Sequence, residues 1–231
     1  MKTAILVDGA FYQKRANALF GQKTGQARAD ELCEYCKRHI PNQGTLYRIF
    51  YYDCKPSEKT IMHPLTQKSV WLKRTELYAW TNAFHTALTS KRKVALRMGE
   101  LLESPAGYVL NADAVKKLCR KDITVDDLTE ADFHLDIQQK GVDTRICLDI
   151  ASLAYKKLVD QIVLIAGDAD FVPAAKHARR EGIDFILDPM WHTIKPSLNE
   201  HIDGLKSHVP KPPNNTTDKL YAGNKPAEDI P

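Results

Sequence analysis

Apolar residues in this chain gather into two patterns, short unbroken runs and stripes at helical spacing, and their alternation predicts the architecture. The runs Thr3 to Val7 and Ile162 to Ala166 are each closed by a glycine and an aspartate, as Asp8-Gly9 after the first and Gly167-Asp168 after the second. A short apolar run bounded by turn residues suits a strand covered on both faces. Thr45 to Tyr52 (TLYRIFYY) is rich in β-branched and aromatic residues and reads as another strand, and Ile183 to Leu187 as one more. Helices are predicted over Arg28 to Ile40 and from near Pro173, because proline is favoured just inside a helix start. Pro41, Asn42 and Gly44 mark a turn between the first of these helices and the strand that follows.

A further helix is predicted to open within Gln138 to Asp149, QQKGVDTRICLD. At ~100° per residue, Ile146, Cys147, Ile150, Ala151, Leu153 and Ala154 share a face, with Asp143 near the middle of that stripe at its start. A last helix is predicted over Pro196 to Leu205, carrying Ser197 and Asp203. Strands and helices in this order predict an α/β fold with a mostly parallel central sheet and right-handed crossovers. Residues 55–133 break the rhythm. There Val70 to Leu88 is broadly helical, Lys93 to Met98 alternates like a strand ending at Gly99, and Asn111 to Arg120 is a short helix. This stretch reads as an inserted segment shaping one side of a cleft. From Pro210 to Pro231 the apolar period is lost and Pro, Asn, Thr, Lys and Asp dominate, the composition of a flexible C-terminal tail.

The 43% hydrophobic and 27% charged fractions are those of a soluble globular protein, and no apolar run approaches the ~20 residues of a membrane span. The start, MKTAILVDGA, holds too short an apolar stretch before Asp8 for a secretory signal, so a cytoplasmic protein is expected, without a membrane partner. A net charge of +4 leaves nucleic-acid affinity to local basic clusters. Cys33, Cys36, Cys54, Cys119 and Cys147 have no repeating spacing, and the one C-x-x-C pair lies in a helical pattern, so structural thiols are expected in place of a zinc site.

The candidate chemistry lies in the aspartates. Open parallel sheets bind ligands outside the carboxyl ends of their strands, which is where Asp8 and Asp168 stand. A helix leading into a parallel strand begins near that same edge, which aims Asp143 at them. Asp170 reads equally as a helix N-cap or as a ligand. Asp149 lies farther along the same helix and reads as a supporting or packed acid. Carboxylates gathered this way repel one another unless protons or a hard divalent cation compensate them, and Mg2+ or Mn2+ suits all-oxygen ligands. A phosphate-bearing substrate needs cations nearby, and Lys140, Arg145, Lys176, Arg179 and Arg180 are the candidates. Phe11, Tyr12 and Tyr52 stand near strand ends, where they serve either base stacking or the core. His177 reads as a surface or packing residue.

Taken together, VDG at Val7 to Gly9, QKGVDTRICLDIASLA at Gln139 to Ala154, LIAGDADFVPAAKHARREGIDFILDP at Leu164 to Pro189 and SLNEHIDGL at Ser197 to Leu205 resemble the NYN-domain proteins of the LabA-like group, in the PIN-like nuclease superfamily. The resemblance spans roughly residues 1 to 207. It implies a PIN-like three-layer α/β fold over residues 1–209, with metal-dependent ribonuclease chemistry on single-stranded RNA and room for a homo-oligomer. By position, Asp8, Asp143, Asp168 and Asp170 match the family's acidic metal-binding set, and Asp149 and Asp203 match further acidic positions. Ser197 joins them as a residue expected to support the site from behind. Ala10-Phe11 stands where the family commonly has Asn, and Ala166 and Ala169 stand where it often has Ser. Those departures remove hydroxyl and amide partners of the carboxylates and motivate an alternative, an RNA-binding regulatory module with little or no turnover. An aspartyl-nucleophile phosphatase is disfavoured by Ala10, and a dinucleotide-binding fold by the absence of G-x-G-x-x-G after the first strand.

Overall fold

The computed structural model describes residues 1–211, apart from the side chains of residues 103–106. In chain order the first elements are β1 (Lys2–Asp8), α1 (Gly9–Phe20), α2 (Gly25–Lys37), β2 (Thr45–Cys54), β3 (Thr60–Met62), β4 (Ser69–Trp71), α3 (Glu76–Thr89), β5 (Val94–Leu110) and α4 (Ala112–Arg120). They are followed by β6 (Phe133–Lys140), α5 (Val142–Tyr155), β7 (Gln161–Ile165), α6 (Val172–Arg180), β8 (Asp184–Asp188), α7 (Pro196–Asn199) and β9 (Gly204–Leu205). Among the described residues, seven strands form one sheet in the order β6-β5-β2-β1-β7-β8-β9, and β3 and β4 form a separate small hairpin. Every pairing in the large sheet is parallel except that of β5 with β6.

The unbroken apolar runs are strands covered on both sides. Successive side chains of a strand point to opposite faces, so in β1 Ala4 and Leu6 enter one core and Ile5 and Val7 the other. In β7, Ile162 and Leu164 face the first core, and Val163 and Ile165 the second. The first core is closed by Ile146, Ile150 and Leu153 of α5 and by the alanines of α6; the second by Tyr12 of α1, Leu32 and Tyr35 of α2, and Phe84 and Leu88 of α3. Three layers result, with the sheet in the middle. Each branched aliphatic side chain taken out of water contributes about 1.5–3 kcal/mol, so the central strands anchor the fold.

Several expected elements change shape. The helix expected from Gln138 begins only at Val142, because Gln138, Gln139 and Lys140 end β6, paired antiparallel with Leu102, Leu101 and Glu100. Their polarity suits the end of an edge strand, whose earlier residues Phe133, Leu135 and Ile137 alternate with polar ones. The strand expected to stop at Gly99 runs through it to Leu110. The helix expected over 196–205 is limited to α7, after which the chain joins the sheet: Asp203 N bonds to Phe185 O at 2.8 Å and Lys206 N to Leu187 O at 3.0 Å. The region 70–88 starts as β4 and becomes helical at Glu76, capped by Thr75, whose side chain accepts from Tyr78 N. The second helix spans 25–37 instead of 28–40. The structure also adds α1, whose buried face is only Gly9, Tyr12 and Ala16, too weakly apolar to show as a stripe. The tail assigned to 210–231 lies, from residue 212, outside the described residues.

Candidate active site

Two glycines bring the strand ends close together. Asp8 ends β1 and caps α1, its Oδ1 accepting from Phe11 N at 3.2 Å. The turn succeeds because Gly9 has no side chain: a Cβ there would come within 2.4 Å of Tyr52 O and 2.8 Å of the Tyr51 ring. After β7, a Cβ on Gly167 would come within 2.6 Å of Phe11. Phe11 therefore sits over the loop that carries Asp168, and the β1 and β7 loops touch at the carboxyl edge of the sheet. Asp143 arrives from a third direction, in the first turn of α5. That turn starts directly after Gly141, where the chain leaves the edge strand β6.

The carboxylates sense one another. Asp8 is pushed up to about 6, first by burial and then by the charges of Asp143 and Asp53, against the lowering effect of the Phe11 and Ala10 backbone N–H groups. Asp143 is raised by partial burial, by Asp168 and by Asp170. Burial and the same neighbours, Asp143 and Asp170, raise the Cys147 thiol behind them. Asp8, Asp143, Asp168 and Asp170 thus share one electrostatic field although they come from separate parts of the chain. Asp168 and Asp170 are exposed, and of the two readings left open for Asp170 the cap falls away: Asp168 Oδ1 accepts from Asp170 N at 3.2 Å, which leaves the Asp170 carboxylate uncommitted to a cap.

Other expected site residues stand elsewhere or are differently engaged. Asp149 accepts from Tyr52 OH at 2.8 Å and pairs with Arg97 Nε at 2.9 Å. Asp203 is at the opposite, amino edge of the sheet, held by Arg179 Nε at 2.8 Å and Phe185 N at 2.9 Å. Arg179 and Lys176, expected to meet phosphate at the acids, instead line a hollow with Asp184 and Asp203 at that far edge, because α6 carries them away from the acidic turn. Arg145 reaches Met98 O at 2.9 Å. Lys140 is exposed and has no ion pair among the described residues. Ser197 is exposed on α7, which packs beside the Ala169–Phe171 turn. Of the aromatics, Tyr12 and Tyr52 are fully buried and cannot stack on a base, whereas Phe11 is partly exposed.

One carboxylate escaped sequence reasoning. Asp53, next to last in β2, faces Asp8 across the strand ends and is held by His85 Nε2 at 2.9 Å and Gln139 Nε2 at 3.2 Å. Its signal was present in TLYRIFYYDC, a strand that ends in an acid as β1 does. Asp53 also lines a cavity of about 530 Å³ between α1 and the 55–81 segment, which sequence patterns do not reveal.

The family model of the NYN domain matches residues 2–198. This chain belongs to the NYN-domain family. NYN domains are generally nucleases of PIN-like fold, and PIN-like nuclease domains usually use divalent metals. Among solved structures, a protein of unknown function from Vibrio parahaemolyticus is similar to this NYN chain at 16% identity, covering 88% of this chain and 90% of that one, with a TM-score of 0.43. No curated protein matches the chain. No helix among the described residues is long and apolar enough to cross a membrane.

The donors of this NYN domain fit a hard cation in chemistry, being carboxylate oxygens whose mutual repulsion a positive ion relieves. Among the described residues no group of three or more His, Cys, Asp or Glu side chains is placed so that it could hold a metal ion by itself. Mg2+ does not require one, since it keeps several waters and takes one or two carboxylates together with substrate phosphates.

Proposed function

We propose that this NYN domain is a divalent-metal-dependent ribonuclease of the LabA-like group, hydrolysing phosphodiester bonds of single-stranded RNA. The observation that carries the reading is the shared field of Asp8, Asp143, Asp168 and Asp170, with Asp8 raised to about 6 by burial and acidic neighbours. In this reading residues 1–209 form the working unit, the 55–133 segment expected as an insertion contributes α3 and β5 to the layers of that unit, and Asp8, Asp143, Asp168 and Asp170 hold Mg2+ or Mn2+. When bound, such an ion lowers the pKa of water and offsets charge on the phosphodiester. Asp8 is oriented by its cap bond to Phe11 N and cannot swing away without unpairing the first turn of α1. Asp168 is oriented the same way by Asp170 N. Lys140, exposed two residues before α5, supplies a cation beside the acids for the phosphate. Arg145, anchored by Met98 O, adds positive potential at the start of α5. Asp149, tied to Tyr52 and Arg97, supports α5 from behind.

Asp168→Asn tests the reading. Supporting partners of metal ligands are worth roughly 10–100-fold, so loss of a direct ligand is expected to slow manganese-dependent cleavage of labelled single-stranded RNA by about 100-fold or more. Equal rates for variant and parent overturn it. A second reading, a regulatory RNA-binding module without turnover, is favoured by the absence, among the described residues, of a group of three or more donors that could hold an ion and by Ala166 and Ala169 at the turn. Calorimetric titration separates the two, because that reading expects RNA binding without metal binding at millimolar concentrations.

A further inference from the structure

The 530 Å³ cavity lies beside the proposed metal site yet has no part in it so far. Its floor includes Gly9 and Ala10, the residues after Asp8; its walls include Gln13 and Asn17 of α1 and Tyr78 and Trp80 of α3. A volume of that size, mostly apolar with a few converging polar groups, is that of a small-ligand site. Charged side chains (Lys23, Asp53, Lys55 and Glu76) stand in the lining together with the amides of Gln13, Asn17, Gln22 and Gln139, and two of those amides have bonding capacity left over. The Tyr51 hydroxyl engages one end of the Gln13 amide at 3.3 Å and leaves Gln13 Oε1 buried without a partner. A buried polar atom without a partner costs free energy, and a turn of the half-buried Gln13 side chain into the cavity is what would let a ligand supply the missing bond. Asn17, one helical turn along, spends its Oδ1 on Arg28 at 2.8 Å, and its NH2 donors have no partner among the described residues. Gln13 and Asn17 thereby present amide donor and acceptor capacity side by side on one helix face.

Adjacent donor and acceptor groups above an apolar, aromatic-walled slot match the edge of a nucleobase, which amide side chains engage in bidentate fashion. We propose that this cavity receives one unstacked nucleobase of the substrate strand, next to the phosphodiester held at Asp8, with Gln13 and Asn17 engaging its edge. The inference rests on the nuclease reading for the source of that base. A base can enter such a slot only when out of its stack, so the cavity selects single-stranded substrate and disfavours duplex. A bare lipid chain would leave the amides unpaired.

The test uses the full chain in chelator, so that binding is read without cleavage. Fluorescence anisotropy of a labelled hexanucleotide RNA is compared for the parent, Thr81→Phe, which fills the slot from α3, and Gln13→Met, which removes the amide at similar volume. Base stacking and bidentate edge contacts set the scale, and each variant is expected to weaken binding by about tenfold. In the parent, adenosine and uridine 5′-monophosphates are expected to change Trp80 emission, and ribose 5-phosphate is not. If both variants bind like the parent, the base pocket is overturned, whether or not RNA is cleaved. If binding weakens in the variants while the parent shows no metal-dependent cleavage, the pocket stands and the nuclease reading falls. Should Thr81→Phe fail to fold by thermal unfolding, Gln13→Met decides alone.

Discussion

Asp8 and Asp188 end two parallel strands of the same sheet, separated by one strand, and the molecule treats them in opposite ways. Asp188 is fully buried and receives four donors: Tyr35 OH at 2.5 Å, His39 Nε2 at 2.9 Å, Ser207 Oγ at 2.8 Å and Met190 N at 2.7 Å. Asp8 has only backbone N–H groups in its favour, Phe11 N at 3.2 Å and that of Ala10, and faces the charges of Asp143 and Asp53. A carboxylate surrounded by donors is a structural knot, here joining β8 to α2 and to the chain after β9. A carboxylate whose neighbours are other acids is held at a cost to stability, which the proposed cation would relieve. Type and strand position are the same in both, so the neighbours alone divide them.

The largest expected effect comes from breaking the knot. Asp188→Ala leaves the hydroxyl, imidazole and backbone donors without an acceptor in a buried place, a loss of about 3 kcal/mol. In a chain of this size that is a fall of roughly 6–12 °C in the unfolding midpoint by calorimetry. An unchanged midpoint would erase the distinction drawn between the two strand ends.

Asp8→Asn is expected to move stability the other way. Asparagine keeps the cap of α1, being as good an N-cap as aspartate, and removes the charge its neighbours oppose. The gain at neutral pH is about 1 to 2 kcal/mol, after discounting for the part of the carboxylate open to water. The sign follows from linkage: Asp8 titrates near 3.8 unfolded and about 6 folded, so the folded chain holds more protons between those values. Its ionisation therefore costs nothing at low pH, the penalty grows as pH rises from about 4 to 6, and it is complete above. Unfolding midpoints of parent and Asp8→Asn measured from pH 4 to pH 7 should diverge over that window, with the variant higher. A variant less stable than the parent at pH 7 would mean that Asp8 is a knot after all.

The smallest effect is expected at the amino edge. Asp203→Ala removes a half-exposed pair with Arg179 and a bond to Phe185 N, worth roughly 1 kcal/mol together, or 2–4 °C. Metal-dependent cleavage should stay at the parental rate, since Asp203 and Arg179 stand across the sheet from Asp168. A large loss of cleavage without loss of stability would bring that edge back into the site.

How far the residues alone carry the argument follows from what each one depends on. The runs Thr3 to Val7 and Ile162 to Ala166 specify doubly covered strands by local composition, and the Asp8-Gly9 and Gly167-Asp168 endings place acids at one edge, because strand direction and parallel order fix which end is which. The stripe beginning at Asp143 likewise aims an acid at that edge. Edge strand β6 was missed although Phe133, Leu135 and Ile137 alternate with polar residues along FHLDIQQK; only its end, Gln138 to Lys140, lacks that signal. The short β9 was hidden, since two residues carry no period.

What only the tertiary structure decided is the company each side chain keeps. Asp53, Asp188 and Asp203 are all aspartates near strands, and nothing in their local sequence says which will meet donors, which a histidine and which another acid. Direction along a helix also escaped: α6 carries Lys176 and Arg179 away from the acidic turn, toward the far edge. Period and turn chemistry are properties of a few consecutive residues and can be read along the chain. Charge coupling, cavity shape and the satisfaction of a buried polar atom depend on residues brought together from distant segments, and those exist only once the sheet has closed between its helices.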